Sequence, residues 1–201
     1  MARLQLNKSS LARETANLKS YKRFLPSLDL KRQQLMTERA KAARALAELR
    51  TAIDELRSRV GEQLPMLANR DMNLDDLAEV KDVAMTTENV VGTRLPAVER
   101  VEIALRRYAL LARPHWVDAV VERLREVLEL RVREQVAVRR LALLEAAVDT
   151  ITQRVNLFDK VLIPATERNI KRIRIYLSDE EMAAVVRSKI SKRKHAAARA
   201  L

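Results

Sequence analysis

A chain of 201 residues with a net charge of +12, no cysteine and only two glycines excludes a disulfide framework and a thiolate zinc site, and offers no spacing for a glycine-rich phosphate loop. Aromatic residues make up 3% of it and charged residues 33%, the composition of long helices rather than of a globular core. No apolar run reaches the roughly 18 residues that a membrane-spanning helix needs, so the chain is expected to be soluble or peripheral to a membrane, without insertion into the bilayer.

The charge is concentrated at the two ends. Residues 1–32 carry eight basic and two acidic groups, residues 187–201 carry six basic and none acidic, and residues 33–186 are neutral overall. Whatever the positive charge recognises therefore lies where the termini lie.

In chain order, one row of a heptad pattern reads Leu4, Leu11, Leu18, Leu25, Arg32, Arg39, Leu46, Ile53 and Val60, and its companion reads Glu14, Tyr21, Leu28, Leu35, Ala42, Leu49 and Leu56. The two rows stand three and four residues apart, which makes them one coiled-coil stripe along a helix from about Ser9 to about Gly61. Asn7 or Ser9 suits its N-cap. Pro26 deletes a backbone donor inside it, so a kink or a local break is expected, with the unbroken register favouring the kink. Arg32 and Arg39 in the stripe either snorkel outward or meet an acidic partner.

Between about Gln63 and Arg113 the heptad lapses and breakers gather: Pro65, Asn69, Asn73, Asn89, Gly92 and Pro96. This region turns the chain round. Fifty structureless residues are unusual in a folded protein, so elements of its own are expected there. β-Branched residues on both sides of Gly92 suit a short hairpin within Glu79–Ile103, and Arg100–Arg113 then reads as helix.

Pro114 suits the first position of a new helix. An apolar stripe begins at Val117, Val120, Leu124 and Val127 and continues through Ala137, Leu141, Leu144, Val148, Ile151, Val155, Phe158 and Leu162. The helix is expected to run to about Lys194, with Pro164 as its one kink. Two long striped helices joined by a turn region bury their stripes against each other, antiparallel, which brings both basic ends to one tip. The expected fold is all-α, a long antiparallel two-helix coiled coil with a short helical and β-hairpin turn region. Its parts are residues 1–62, 63–113 and 114–201.

Nothing in this pattern is arranged for a reaction. Asp75 with Asp76, Glu180 with Glu181, and Asp149 with Asp159 read as solvated helix faces or caps; Trp116 is expected to pack and His115 to face water. No cofactor or metal site is expected. The basic tail of Arg187, Lys189, Lys192, Arg193 and Lys194 suits phosphates, a protein sleeve or solubility; no aromatic residue interleaves it as in single-strand binders.

The stretch Arg154–Lys194 resembles the C-terminal signature of the D-subunit family of vacuolar/archaeal-type ATPases. It carries Arg154, Val155, Asn156 and Leu157, then Val161, Leu162, Ile163 and Pro164, then Ile170 and Ile173. Leu30–Met36 and Glu88–Pro96 are similar to two further blocks of that family, in the same order, while Asn7–Ser10 departs from its N-terminal pattern. The resemblance implies a non-catalytic rotor shaft in the central stalk, cytoplasmic and peripheral to the membrane. Its implied partners are the F subunit of the stalk, the catalytic A and B subunits around the tip, and the C subunit (elsewhere named d) towards the membrane rotor. Lys8, Arg13, Arg187, Lys189, Lys192 and Arg193 are then the candidate contacts with the ring. The alternative is a basic coiled-coil scaffold that binds nucleic acid or an acidic protein.

Overall fold

The computed structural model describes residues 4–68, 77–106 and 114–199. It is mostly helical, with a long helical-hairpin region, in the order α1 (Lys8–Gln63), a 3₁₀ turn (Pro65–Ala68), β1 (Ala78–Val90), β2 (Thr93–Leu105), α2 (Trp116–Asn156), a π-turn (Leu157–Leu162) and α3 (Ile163–Arg199). The chain forms two compact units. A terminal unit comprises Met1–Leu30 with Ile151–Leu201, and a central unit comprises Lys31–Thr150.

Helix α1 starts where a side chain satisfies one of its orphan donors: Asn7 Oδ1 accepts the Ser10 amide at 2.7 Å, and the Asn7 carbonyl accepts Leu11 N–H at 3.1 Å. Asn7 is thus the N-cap, and Ser9 lies inside the helix. The helix runs unbroken through Pro26. In the terminal unit its partner is antiparallel: Lys8 pairs with Glu181, Glu14 with Asn169 and Tyr21 with Phe158. Ser10, Ile151, Val155, Thr166, Ile170 and Ile173 are buried there. Arg32 and Arg39, in the central unit's part of the stripe, are half-buried, as long side chains with apolar stems tolerate.

The π-turn answers a counting problem. The stripe on this strand runs Val155, Phe158, Leu162, Thr166, Ile170, Ile173, in steps of three, four, four, four and three. That is one residue longer than strict heptad alternation. A turn closed by i→i+5 bonds takes up one additional residue, and the Ile163 amide donates to the Phe158 carbonyl. One residue on, Pro164 has no amide to offer the Lys160 carbonyl. The Thr166 hydroxyl donates to the Leu162 carbonyl at 2.7 Å.

The central unit corrects the all-α expectation. Its two strands, 13 residues each, pair antiparallel, so the hairpin is longer than the short one expected. Where Arg100–Arg113 was expected to be helical, the chain is β-strand to Leu105, and residues 107–113 lie outside the described residues. The period of two wins there because Val101 and Ile103 face Val83 and Val80 across the ladder, and cross-strand β-branched pairs stabilise a sheet. Lys81 on β1 and Glu99 on β2 each stand opposite no partner, one bulge per strand, so the register recovers. At the base, Arg106 N–H donates to the Leu77 carbonyl at 3.0 Å. Leu77 packs there with Val117 and Val121, flanked by Trp116 and Leu124, while His115 is exposed.

The hairpin turn is Val91-Gly92, with φ of 52° and 81°. Two positive φ values suit the right-handed twist of a two-residue hairpin, but the first position favours asparagine or glycine, not a β-branched residue. Replacing Val91 with asparagine is expected to stabilise the protein by about 1 kcal/mol, read as a raised denaturant midpoint at constant m-value. A loss of stability would mean that the valine side chain contributes more packing than its backbone strain costs.

Candidate interaction surfaces

In the central unit, α1 and α2 run antiparallel on either side of an open groove of about 550 Å³, lined by Ala45, Leu49 and Ala52 of α1, Pro96–Val98 of β2, and Arg133 and Arg140 of α2. An adjoining space of about 410 Å³ shares Leu49, Ala52 and Arg133 and continues to Leu56, Arg59, Glu126 and Leu130. The hairpin forms a wall because Glu88 on β1 accepts from Arg140 at 2.8 Å. No single stretch of sequence carries this groove; it arises where β2 is laid beside two helices.

Two ion pairs close within α2 beside the groove: Arg133 with Glu129 at 2.6 Å and Arg123 with Glu126 at 3.0 Å. Glu134 accepts from Arg131 at 2.8 Å and from Arg50 at 3.1 Å, and its side chain is only 15% exposed. The hydrogen bond from Arg131, then that from Arg50, hold its carboxyl below the ordinary glutamate value. A carboxylate with a depressed folded pKa stabilises fully above its unfolded pKa, near 4.3, and this contribution disappears as pH falls through the lower folded value. Glu134→Gln is therefore expected to lower Tm at neutral pH and to lessen its further fall under acid. A Tm-versus-pH curve parallel to that of the native chain would exclude this role.

The expected contact residues all belong to the terminal unit, and all are exposed. Lys8 stands 3.7 Å from Glu181, which places the start of α1 beside the middle of α3. Arg13 lies one residue before Glu14, which accepts from Asn169 at 3.3 Å. Arg187, Lys189, Lys192 and Arg193 lie farther along α3, in a stretch where every residue from Ser178 to His195 is exposed. The structure therefore brings Lys8 to the foot of the basic segment but leaves Arg13 a few turns away. Four apolar side chains that the charge argument overlooked share this stretch: Met182, Val185, Val186 and Ile190, each about half-exposed. Their spacing of three and four gives α3 an apolar stripe beside its cations.

Among the described residues no group of three His, Asp or Glu side chains is placed to hold a metal, and no helix is long and apolar enough to cross a membrane. The fold defines a helical-hairpin protein with a β-hairpin laid against the helices of its central unit.

Comparison with known proteins places it more narrowly. Residues 10–193 match the family model of the ATP synthase D subunit. The chain is 34% identical over 192 residues to a V-type ATP synthase D subunit of Borreliella burgdorferi, covering 96% of this chain and 95% of that one. It is 32% identical over 198 residues to the protein of the same name from Chlamydia abortus, covering 96% and 94%. The chain belongs to the ATP synthase D-subunit family.

Proposed function

We propose that this chain acts as the rotor shaft that couples the catalytic ring of its complex to an ion-translocating rotor. Family membership makes it a non-catalytic, central-stalk component of a V/A-type ATPase, and gives no support to a nucleic-acid scaffold. The observation that carries the mechanical reading is the antiparallel helix pair of the terminal unit, from which α3 presents an exposed apolar and basic stripe at Met182–Lys194. An asymmetric helix end inside a ring of repeated subunits makes different contacts with each subunit at each angle. Nucleotide affinity then depends on orientation, and by reciprocity nucleotide binding favours one orientation over the next.

In this reading residues 1–62 and 114–201 are the two strands of the shaft and residues 63–113 its turn region. Lys8, Arg13, Arg187, Lys189, Lys192 and Arg193 face the sleeve formed by the A and B subunits. The groove at Leu49, Ala52 and Pro96 offers a lateral face for the F subunit, and the C subunit links the turn region to the membrane rotor on the cytoplasmic side. A tagged chain expressed in its native host is expected to co-purify with a small F-like subunit and two large nucleotide-binding chains. Recovery of the intact chain without those partners would defeat the reading. Charge reversal of Lys189, Lys192 and Arg193 together is expected to lower ATP-driven ion transport at least about tenfold in reconstituted vesicles; unchanged transport would remove these cations from the interface.

A further inference from the structure

We infer that the terminal unit contains a flexing joint, formed where the Pro26 region of α1 lies beside the π-turn of the opposite strand. The two interruptions face each other across one contact: the rings of Tyr21 and Phe158 meet edge to face, with centroids 5.4 Å apart and planes at 86°. Phe158 is the second residue of the π-turn. Tyr21 precedes by one residue Lys22, whose carbonyl Pro26 leaves without its helical donor.

Two independent observations make this level softer than its surroundings. Backbone bonding is irregular on both strands. Pro26 and Pro164 each remove a donor, the Ile163 amide reaches back five residues to Phe158, and the hydroxyls of Ser27 and Thr166 bond to the carbonyls of Phe24 and Leu162. Packing is thin as well. No residue of Leu157–Leu162 is buried, and none of α1 between Ser10 and Leu35. Phe24, Leu157 and Val161 are 54%, 47% and 53% exposed. On both sides along the same strand the seam closes again, at Ile151 and Val155 before the π-turn and at Thr166, Ile170 and Ile173 after it. Few buried contacts and interrupted backbone bonds are what low local stability consists of.

The remaining ties at this level allow movement. An edge-to-face ring pair tolerates sliding over a range of geometries, and Lys22–Glu167, at 2.7 Å with both side chains about half-exposed, is a long-armed surface pair that holds register loosely. The one-residue excess between Val155 and Ile173 gives the strand a second way to settle, by moving the i→i+5 turn along the helix. The joint bends or untwists there while the segments on each side keep their packing. Its place in a rotating shaft rests on the rotor reading; the flexing does not.

The test uses the full-length chain, which has no native cysteine. Spin labels on Arg154→Cys and Arg172→Cys span the π-turn along one strand, and a control pair on Glu122→Cys and Arg139→Cys spans regular α2. The distance distribution across the joint is expected to be about twice as broad as the control, and the amides of 157–166 to exchange at least about tenfold faster than those of 141–150. Pro26→Ala with Pro164→Ala, or separately the deletion of Lys160 that removes the extra residue, is expected to narrow the distribution. A joint pair as narrow as the control, exchange as slow as in α2, or a breadth that survives in every variant retaining native helix content would each overturn the proposal. None of these measurements depends on partner subunits, so failure of the joint and failure of the rotor reading are separable.

Discussion

Leu144→Ala will destabilise the protein by about 3 kcal/mol, a large share of the stability of a typical natural domain. Leu144 is 1% exposed and sits on the stripe of α2, whereas Val138, six residues earlier on the same helix, is 43% exposed. Truncating Leu144 removes its burial and leaves a void that two helices cannot both close upon, and in a narrow two-helix layer no second shell of side chains fills the space. Val138→Ala removes an outward side chain and replaces a β-branched residue with the best helix former, so its effect should lie within about 0.5 kcal/mol of zero. Denaturant unfolding of the two variants decides the matter. Equal midpoints would mean that the stripe does not carry the stability, and a changed m-value for Leu144→Ala would point to separate unfolding of the two units.

This contrast is legible in the amino-acid sequence, because the steps of three and four from Ala137 to Leu162 state which side of the helix is inward. The same periodicity fails where apolar residues crowd. In Arg100–Arg113 the run Val101, Ile103, Ala104, Leu105 satisfies both a helix and a strand at short range, and what decides is the opposite strand: Val80 and Val83 stand across the ladder at matching positions. The turn at Gly92 is readable from its β-branched flanks, yet the hairpin's full length is not. Exposed residues such as Thr86, Thr87 and Asn89 follow no apolar alternation and are strand because they pair.

The π-turn has a signal that reading Pro164 alone conceals. A proline suggests a kink, but the count from Val155 to Ile173 shows one residue too many for a heptad seam, and that excess makes an i→i+5 turn the natural remedy. The groove has no comparable trace. Ala45, Ala52, Pro96 and Arg133 come from three elements and share a surface only once the hairpin lies along the helices. The basic ends stand between these cases. Antiparallel pairing does bring Lys8 to α3, at Glu181, but charge counting cannot show that most of the C-terminal cations belong to an exposed stretch of α3 with apolar residues of its own.

That stretch supports the sharpest separation of stability from function. Removing residues 182–201 deletes four large, half-exposed apolar side chains and the cations Arg187, Lys189, Lys192 and Arg193, yet takes away no described residue that is buried. The Lys8–Glu181 pair is kept. Since exposed helix contributes little beyond its own backbone bonds, the thermal midpoint should move by no more than about 2 °C, while helix content falls in proportion to the residues removed. If Met182–Lys194 is the end held by the catalytic ring, the shortened chain will still fold but will no longer transmit rotation. ATP hydrolysis in the reconstituted complex then loses its dependence on the ion gradient, and ATP-driven transport falls to background. Restoring the segment with its four apolar positions changed to serine separates the two halves of the surface: transport that returns assigns the grip to the cations, and transport that stays absent assigns it to the apolar stripe. Full coupling in the truncated chain would place the driving contact elsewhere on the shaft.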